Sequence, residues 1–233
     1  MRKILLGILL VGIGLNSQAQ NNSELVKHYE SYYAQMKQQG DMQGVIDAIT
    51  HLNLLSPNKA RKDTLAILYM NDGRHIQALN TIGFQLDPND SDLAVEVKAV
   101  CLQELNQPER AIEQFEELYK RTPNILVAYE LADLKTQVND LAGATEHIEY
   151  GITNAPDDLQ RTFYESQTPY NVPVKAAFIY LKGLVKYKEN PKENIDAAIA
   201  IMDEALAEFS EFNLARLSKE ALLAQKNTPQ KDN

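Results

Sequence analysis

The sequence predicts an all-α protein built from stacked pairs of helices, and three regularities support this fold class. The first is a glycine or asparagine that recurs every 33 residues, at Gly40, Gly73, Asn106 and Asn139. The second is a small apolar residue five positions after each of them, at Val45, Ala78, Ala111 and Ala144. The third is a proline near the end of each unit, at Pro57, Pro88, Pro123 and Pro156, of which Pro88 comes two positions early. A period of this size is typical of an array of small stacked units and not of one globular core.

Within one period the apolar residues recur every three or four positions, which is the spacing of a helix face. In the third unit such a stripe covers residues 92–105, and Asn106 and Gln107 then interrupt it. Pro108 opens the next helix, where the missing amide hydrogen has no partner to lose. Glycine and asparagine tolerate the positive φ that a tight turn between helices requires. We therefore expect each period to be helix-turn-helix, with the small residue at the place where the two helices cross closely.

The first residues have the pattern of a signal peptide. Arg2 and Lys3 precede an uncharged apolar run over residues 4–15, and small residues lead up to Ala19. This predicts a signal peptide over residues 1–19 that is cleaved before Gln20. The alternative is a membrane anchor, but the apolar run is short against the roughly 20 residues that span a bilayer. No cysteine lies near the cleavage position, so we do not expect a lipid anchor.

The charge of the chain indicates which classes of partner it can bind. The formal net charge is −9, and it falls to −11 when Arg2 and Lys3 are removed with the signal peptide. An acidic chain does not neutralise phosphate, so we expect neither nucleic acid nor an anionic membrane surface as a partner, and no stable membrane insertion after signal cleavage. A basic or neutral protein is the partner that long-range electrostatics favours. Cys101 is the only cysteine, so there is no intramolecular disulfide, and we expect Cys101 to be a buried small residue.

The repeating residues resemble the tetratricopeptide repeat, a helix-turn-helix unit of about 34 residues. The second unit shows the pattern at Leu65, Ala66, Tyr69, Ala78 and Ile82. The third and fourth units show it at Ala99, Leu102, Ala111, Phe115, Leu118 and Pro123, and at Leu131, Ala132, Ala144, Ile148 and Pro156. The resemblance implies a right-handed superhelical solenoid of about five helix pairs and a closing helix.

These patterns divide the chain into predicted parts. The repeat domain is predicted over residues 20–225, with repeats at 23–57, 58–90, 91–123, 124–156 and 174–210, an insertion at 157–173 and a capping helix at 211–225. Residues 226–233 are predicted to be a disordered polar tail.

In this family the first helices of successive repeats line a concave groove, so residues 33 apart form columns along it. The columns predict groove residues at Glu30, Asp63, Ile67, Glu96, Val100, Tyr129, Asp133 and Tyr180. The family's carboxylate clamp requires lysine and asparagine where this chain has Glu30, Asp63 and Glu96, so we expect no clamp. A basic or apolar segment of a protein is the ligand that acidic, amide and tyrosine side chains favour. Alternatively, the acidic column is a solvated helix face.

The insertion is a second candidate for the binding surface. It carries Phe163, Tyr164 and Tyr170 among polar residues and prolines. Long loops with aromatic side chains often bind a partner, and they also often pack over a neighbouring repeat. The sequence leaves these two alternatives open.

No motif for catalysis, metal binding or cofactor binding is present in the sequence. The four histidines occupy four different positions of the repeat, so stacking does not align them. The sequence therefore predicts a non-catalytic scaffold or assembly adaptor of the cell envelope, periplasmic or secreted, that binds a protein segment. A self-assembling homo-oligomer is the first alternative, and an enzyme with a pocket built by the repeats is a remote one.

Overall fold

The structure, a computed structural model that describes residues 22–228, consists of helices and one short hairpin. The predicted signal peptide and the last five residues of the predicted tail lie outside the described residues. The described residues divide between two compact lobes, an amino-terminal lobe that ends at Cys101 and a carboxy-terminal lobe that begins at Leu102. Consecutive helices pack against each other within each lobe, so the predicted all-α class is confirmed.

The amino-terminal lobe contains α1 (22–39), α2 (Met42–Leu55), α3 (Lys59–Asn71), α4 (His75–Ile82) and most of α5 (Asp92–Glu104). The carboxy-terminal lobe contains the end of α5, then α6 (Pro108–Arg121), α7 (Ile125–Gln137), α8 (Leu141–Asn154), β1 (Gln160–Phe163), β2 (Tyr170–Pro173), α9 (Val174–Glu189), α10 (Ile195–Glu208) and α11 (Asn213–Asn227). The last helix therefore extends two residues into the segment that was predicted to be a disordered tail.

The turns between paired helices have the backbone conformation that the sequence predicts. The φ angles are 72° at Gly40, 71° at Gly73, 54° at Asn106 and 66° at Asn139. Asn106 and Asn139 are the two non-glycine residues with positive φ among residues 22–228. A side chain other than asparagine or glycine is strained there, which is the physical reason for the 33-residue recurrence.

The small residues after these turns are core residues. Ala78, Ala111 and Ala144 are fully buried, and Val45 is 6% exposed. Three of these prolines lie two residues beyond a helix end, as Pro57 does after Leu55 of α2, whereas Pro88 lies six residues after Ile82 of α4. Because proline cannot continue a helix, it separates one helix pair from the next.

One segment of the amino-terminal lobe departs from this regularity. The helix α4 has only eight residues and ends before Gly83, whose φ is 95°. The chain from there to α5 is irregular, and Lys98 of α5 fixes it. The Nζ atom of Lys98 donates to the carbonyl oxygen of Gln85 at 2.6 Å and to Oδ2 of Asp90 at 2.5 Å. The side chain of Lys98 is 1% exposed, which the sequence did not indicate.

Helix α9 is the centre of the carboxy-terminal core. It packs against α7, α8 and α10, and buried residues occupy all of its faces from Val174 to Val185. A helix with neighbours on every side is apolar all round. Phe178 of this helix is fully buried and lies edge-on to Tyr129, with ring centroids 5.4 Å apart.

The ring of Phe178 leaves no room for a side chain at Gly151 of α8. A Cβ atom at Gly151 would lie 2.2 Å from two ring carbons of Phe178. We expect Gly151→Ala to lower the free energy of unfolding by about 1–3 kcal/mol, because the buried ring has no room to move. In an unconstrained helix the same change would stabilise by about 1 kcal/mol.

Chemical denaturation of the Gly151→Ala protein measures this effect, and Gly183→Ala is the matched control. A Cβ at Gly183 would meet the terminal methyl of Met202 at 2.7 Å, and a methionine side chain adapts easily. Equal stabilities for the two variants would contradict the assigned role of Phe178.

The insertion contains an antiparallel hairpin, which was not predicted from the sequence. The strands β1 and β2 pair with Arg161 opposite Val172 and Phe163 opposite Tyr170. These four residues alternate with exposed ones, so they lie on one face of the hairpin. Val172 is fully buried, which shows that this face packs against the helices.

Candidate functional site

The predicted groove residues all lie on the first helices of their repeats, in both lobes. The amino-terminal lobe holds Glu30 on α1, Asp63 and Ile67 on α3, and Glu96 and Val100 on α5. The carboxy-terminal lobe holds Tyr129 and Asp133 on α7, and Tyr180 on α9. The two sets have different surroundings.

A cavity of about 300 Å³ opens between α1, α2 and α3, and we call it the α1–α3 pocket. Ile49 and Leu52 of α2 line it and belong to the buried core, while Tyr33 and Thr64 line it from the flanking helices. Glu30 also lines the pocket, and its side chain is exposed. Among residues 22–228 no ion pair engages Glu30. The pocket therefore combines an apolar lining with one unpaired carboxylate.

Arg61 is the cationic residue of the α1–α3 pocket, and its guanidinium is already engaged. Its Nη1 atom donates to the carbonyl oxygens of Leu52 and Ser56, each at 2.9 Å. These carbonyls lie at the end of α2, where the helix leaves acceptors without intrahelical donors. Arg61 thus closes the end of α2 and does not pair with Glu30.

Asp63 is buried, although its place in the 33-residue column predicts an accessible groove residue. It is 5% exposed and accepts a hydrogen bond of 2.7 Å from the Ser91 hydroxyl. The same Ser91 oxygen accepts from the amide of Ala94 in the first turn of α5 at 3.1 Å. Asp63 therefore connects α3 to the start of α5 and does not present its carboxylate to solvent.

The remaining predicted residues of this lobe are accessible. Glu96 is exposed, and Ile67 and Val100 are half-buried. A second cavity of about 380 Å³ lies between α3 and the segment after α4, and two lysines and three aspartates line it, namely Lys59, Lys62, Asp63, Asp87 and Asp90. Its charged lining is therefore mixed, and the predicted acidic column contributes only Asp63 to it.

In the carboxy-terminal lobe the hairpin contacts the predicted groove residues directly. The guanidinium carbon of Arg161 lies 4.3 Å from the ring centroid of Tyr129, which is 3% exposed. The Nη1 atom of Arg161 donates to Oε1 of Glu130 at 2.5 Å. Gln103 donates to the other oxygen of Glu130 at 3.0 Å. Neither Arg161 nor Glu130 was predicted from the sequence, because their contact joins the insertion to α7 and no repeat period relates the two.

The ionisable groups around Arg161 influence one another. Burial raises the pKa of the Asp133 carboxyl, and the neighbouring charge of Glu130 raises it further, against the effect of Arg161. Burial and the charge of Asp133 hold the pKa of Tyr129 well above its usual value. Burial opposes the charge on Arg161, but the pKa of its guanidinium is raised overall by Glu130 and Tyr129. This surface therefore favours a cation.

The aromatic residues of the hairpin meet Tyr180 at Phe212, the residue before α11. Phe212 is fully buried, with its ring centroid 5.1 Å from that of Phe163 and 5.3 Å from that of Tyr180. Phe163 in turn lies 6.0 Å from Tyr170, and the hydroxyl of Tyr180 lies 3.3 Å from that of Ser218. The predicted groove and the predicted insertion are one continuous cluster in this lobe.

The turn of the hairpin is partly fixed. The Tyr170 hydroxyl donates to Glu165 and accepts from the amide of Leu214 at 3.3 Å. Burial and the Glu165 contact raise the pKa of Tyr170 to about 12. The adjacent Tyr164 is 75% exposed. Of the three predicted insertion residues, Tyr164 is therefore the one whose ring remains available to solvent.

Two of the histidines share one tyrosine neighbour, and a third contacts a different tyrosine. His28 and His51 both contact the ring of Tyr29, at centroid distances of 5.3 Å and 4.4 Å, and His147 lies 5.0 Å from the ring of Tyr119. Burial and Lys135 lower the pKa of His147.

Within residues 22–228 no group of three or more His, Cys, Asp or Glu side chains is arranged to hold a metal ion. Over the same range no helix has both the length and the apolar character needed to cross a bilayer.

Comparison of the sequence with family profiles gives no match. Comparison with curated proteins gives no match either. Solved structures do match the fold.

The MamA protein is 18% identical, with a TM-score of 0.57 over 89% of this chain and 98% of that chain. The APC/C hetero-tetramer Cut9–Hcn1 is 15% identical, with a TM-score of 0.50 over 88% of this chain and 40% of that chain. A tetratricopeptide repeat protein from Parabacteroides merdae is 15% identical, with a TM-score of 0.45 over 85% of this chain and 71% of that chain. The helix pairs, their turns and the likenesses to MamA and Cut9–Hcn1 lead to one conclusion: the chain has the fold of the tetratricopeptide-repeat proteins.

Proposed function

We propose that this protein is a non-catalytic interaction scaffold that binds a basic or apolar segment of a partner protein. The observation that carries the proposal is the α1–α3 pocket, where the carboxylate of Glu30 stands at the edge of an apolar cavity. A cavity of about 300 Å³ is at the lower end of the range for ligand pockets. It has room for one apolar side chain of a partner, with a neighbouring lysine or arginine placed on Glu30.

The carboxy-terminal lobe supports the same preference for a cationic ligand. One of its predicted groove residues, Tyr129, already contacts a cation of the chain itself, since Arg161 rests on its ring and pairs with the neighbouring Glu130. Because the hairpin occupies this surface, the proposed partner site is the one in the amino-terminal lobe. There Glu30 and Glu96 are exposed, and within the described part of the chain neither belongs to an ion pair.

We also propose that the protein works in the cell envelope, in the periplasm or outside the cell. The amino-terminal sequence supports this location, with two basic residues, an apolar run over residues 4–15 and Ala19 at the predicted cleavage position. Fractionation of cells that express the full chain, with sequencing of the mature amino terminus, tests it. A mature protein that retains Met1 would contradict it.

Charge reversal at the exposed carboxylate of the pocket tests the binding proposal. We expect Glu30→Lys to weaken binding of basic-apolar peptides at least about tenfold, because attraction becomes repulsion between like charges. A peptide array with every combination of basic, acidic and apolar residues provides the ligands. Asp63 is left unchanged because it is buried and bonded to Ser91.

Two further variants make this test specific. Glu24→Lys changes an exposed carboxylate on α1 that does not line the pocket, and it should leave binding unchanged. Ala60→Trp places a large ring in the pocket lining and should reduce binding of the apolar peptides. Binding that survives both the charge reversal and the filled pocket would reject the α1–α3 pocket as the site.

Self-assembly is the second candidate function, and the closing helix favours it. Leu217 and Leu223 of α11 are 43% and 37% exposed, so this helix carries accessible apolar surface. Light scattering of the purified protein distinguishes the two functions. A stable oligomer that Leu217→Glu dissociates would support self-assembly. A monomeric protein would reject self-assembly and leave the scaffold as the proposed function.

A further inference from the structure

Two side chains of α7 contact the guanidinium of Arg161, and a carboxylate one turn further along the helix adds its charge. Tyr129 presents its ring face at 4.3 Å, and Glu130 accepts a hydrogen bond of 2.5 Å. Asp133, one turn further along the helix, adds a half-buried carboxylate whose charge acts on Arg161. Asp133 lies four residues after Tyr129 and three after Glu130, so its side chain adjoins both of theirs on the helix surface.

Each of these groups is held in place by contacts other than Arg161. The ring of Tyr129 packs edge-on against Phe178. Gln103 donates to Glu130 at 3.0 Å, and Gln137 donates to Asp133 at 3.0 Å. The geometry around the guanidinium therefore does not depend on the guanidinium itself. Such prior ordering lowers the entropic cost of binding a ligand.

The arrangement selects arginine over lysine. A planar guanidinium stacks on an aromatic face and at the same time donates in its own plane to a carboxylate. A lysine ammonium is a compact charge that lacks this flat shape, and its stronger hydration raises the cost of removing it from water. The contact with the ring of Tyr129 and the hydrogen bond to Glu130 use both properties of the guanidinium.

The arginine that fills this arrangement belongs to an extended strand of the hairpin. Arg161 is the second residue of β1, and its side chain is 28% exposed, so the site opens to solvent. The hairpin is anchored separately, because Val172 is buried and Phe163 packs on Phe212. Arg161 is thus one contact of the hairpin among several, and its removal leaves those other contacts in place.

We propose that Tyr129, Glu130 and Asp133 form a specific binding site for an arginine side chain, which Arg161 of the hairpin fills and so closes to an arginine of another protein. This goes beyond the proposed function, because the α1–α3 pocket lies in the other lobe and plays no part in it. The two proposals can therefore fail independently.

The test uses methylguanidinium as the probe, since it reproduces the end of an arginine side chain. We expect Arg161→Ala protein to bind methylguanidinium at least about tenfold more tightly than the wild-type protein, as measured by NMR titration, because its site is empty. Methylammonium should show no such gain, since it has the charge but not the planar shape. Bound methylguanidinium should also raise the melting temperature of the variant.

Matched variants make the result decisive. Arg216→Ala also removes a guanidinium from a carboxylate, Glu220, but at an exposed place on α11, so it should give no gain in binding. Glu130→Gln added to Arg161→Ala should remove the gain. If Arg161→Ala does not fold, as judged by circular dichroism, Arg161→Gln serves in its place with the same expectation. Equal binding by the wild type and the folded variant, or a gain for methylammonium equal to that for methylguanidinium, would overturn the proposal.

Discussion

Replacement of Lys98 by alanine is expected to lower the free energy of unfolding by about 3–5 kcal/mol, which is the usual cost of breaking a buried ion pair on one side. Lys98 and Asp90 have side chains that are 1% and 8% exposed. Without the ammonium, the Asp90 carboxylate loses its principal cation, and the Gln85 carbonyl loses the hydrogen bond from Nζ. Urea denaturation followed by circular dichroism measures the change.

Lys59→Ala is the control for Lys98→Ala, because it acts on the same carboxylate from solvent. The Nζ atom of Lys59 lies 4.0 Å from Oδ1 of Asp90, and its side chain is 54% exposed. Exposed pairs contribute about 0–1 kcal/mol, so the loss should be small. A loss below about 1 kcal/mol for Lys98→Ala would mean that water replaces the ammonium, and that the segment after α4 is not fixed by Lys98.

Phe212→Ala is expected to lower the free energy of unfolding by a similar amount, about 3–5 kcal/mol. Phe212 is fully buried, and its ring contacts both Phe163 of the hairpin and Tyr180 of α9. The change removes a large ring and leaves a cavity at the place where the hairpin, α9 and α11 meet. We also expect the amides of β1 and β2 to exchange with solvent faster in this variant than in the wild type.

Leu217→Ala provides the matched control on the same helix. Leu217 is 43% exposed, so its truncation should have little effect on stability or on exchange in the hairpin. Loss of stability in Phe212→Ala without faster exchange in β1 and β2 would show that Phe212 supports the helices alone. That result would contradict the role of Phe212 as the anchor of the hairpin.

The turns illustrate how much of the fold was predictable from the sequence. A positive φ restricts a position to glycine or asparagine, so the requirement is visible in single residues such as Gly40 and Asn139. The small residues at Ala78 and Ala144 are equally local signals, since close helix crossing leaves room for a methyl group only. Each of these constraints acts within one repeat, and each recurs in four successive repeats.

The candidate site was predictable only in part. The 33-residue period correctly placed Glu30, Asp63 and Glu96 on first helices, because register follows from the repeat. It could not show that Asp63 is buried while Glu30 stays exposed, since this depends on Ser91 in the segment after α4. That segment differs from one repeat to the next, so the period carries no information about it.

The sequence by itself determined the helix pairs, their turns and the column to which each first-helix residue belongs, because these depend on local backbone geometry and on spacing. Only the tertiary structure decided which of those residues a partner can reach. The hairpin covers Tyr129 through Arg161, and its Phe163 packs on Phe212, whose ring contacts Tyr180. It lies outside the period, and its contacts join residues of different elements, such as Arg161 and Glu130. Contacts of that kind leave no regular spacing in the sequence, so they become visible only when the chain is folded.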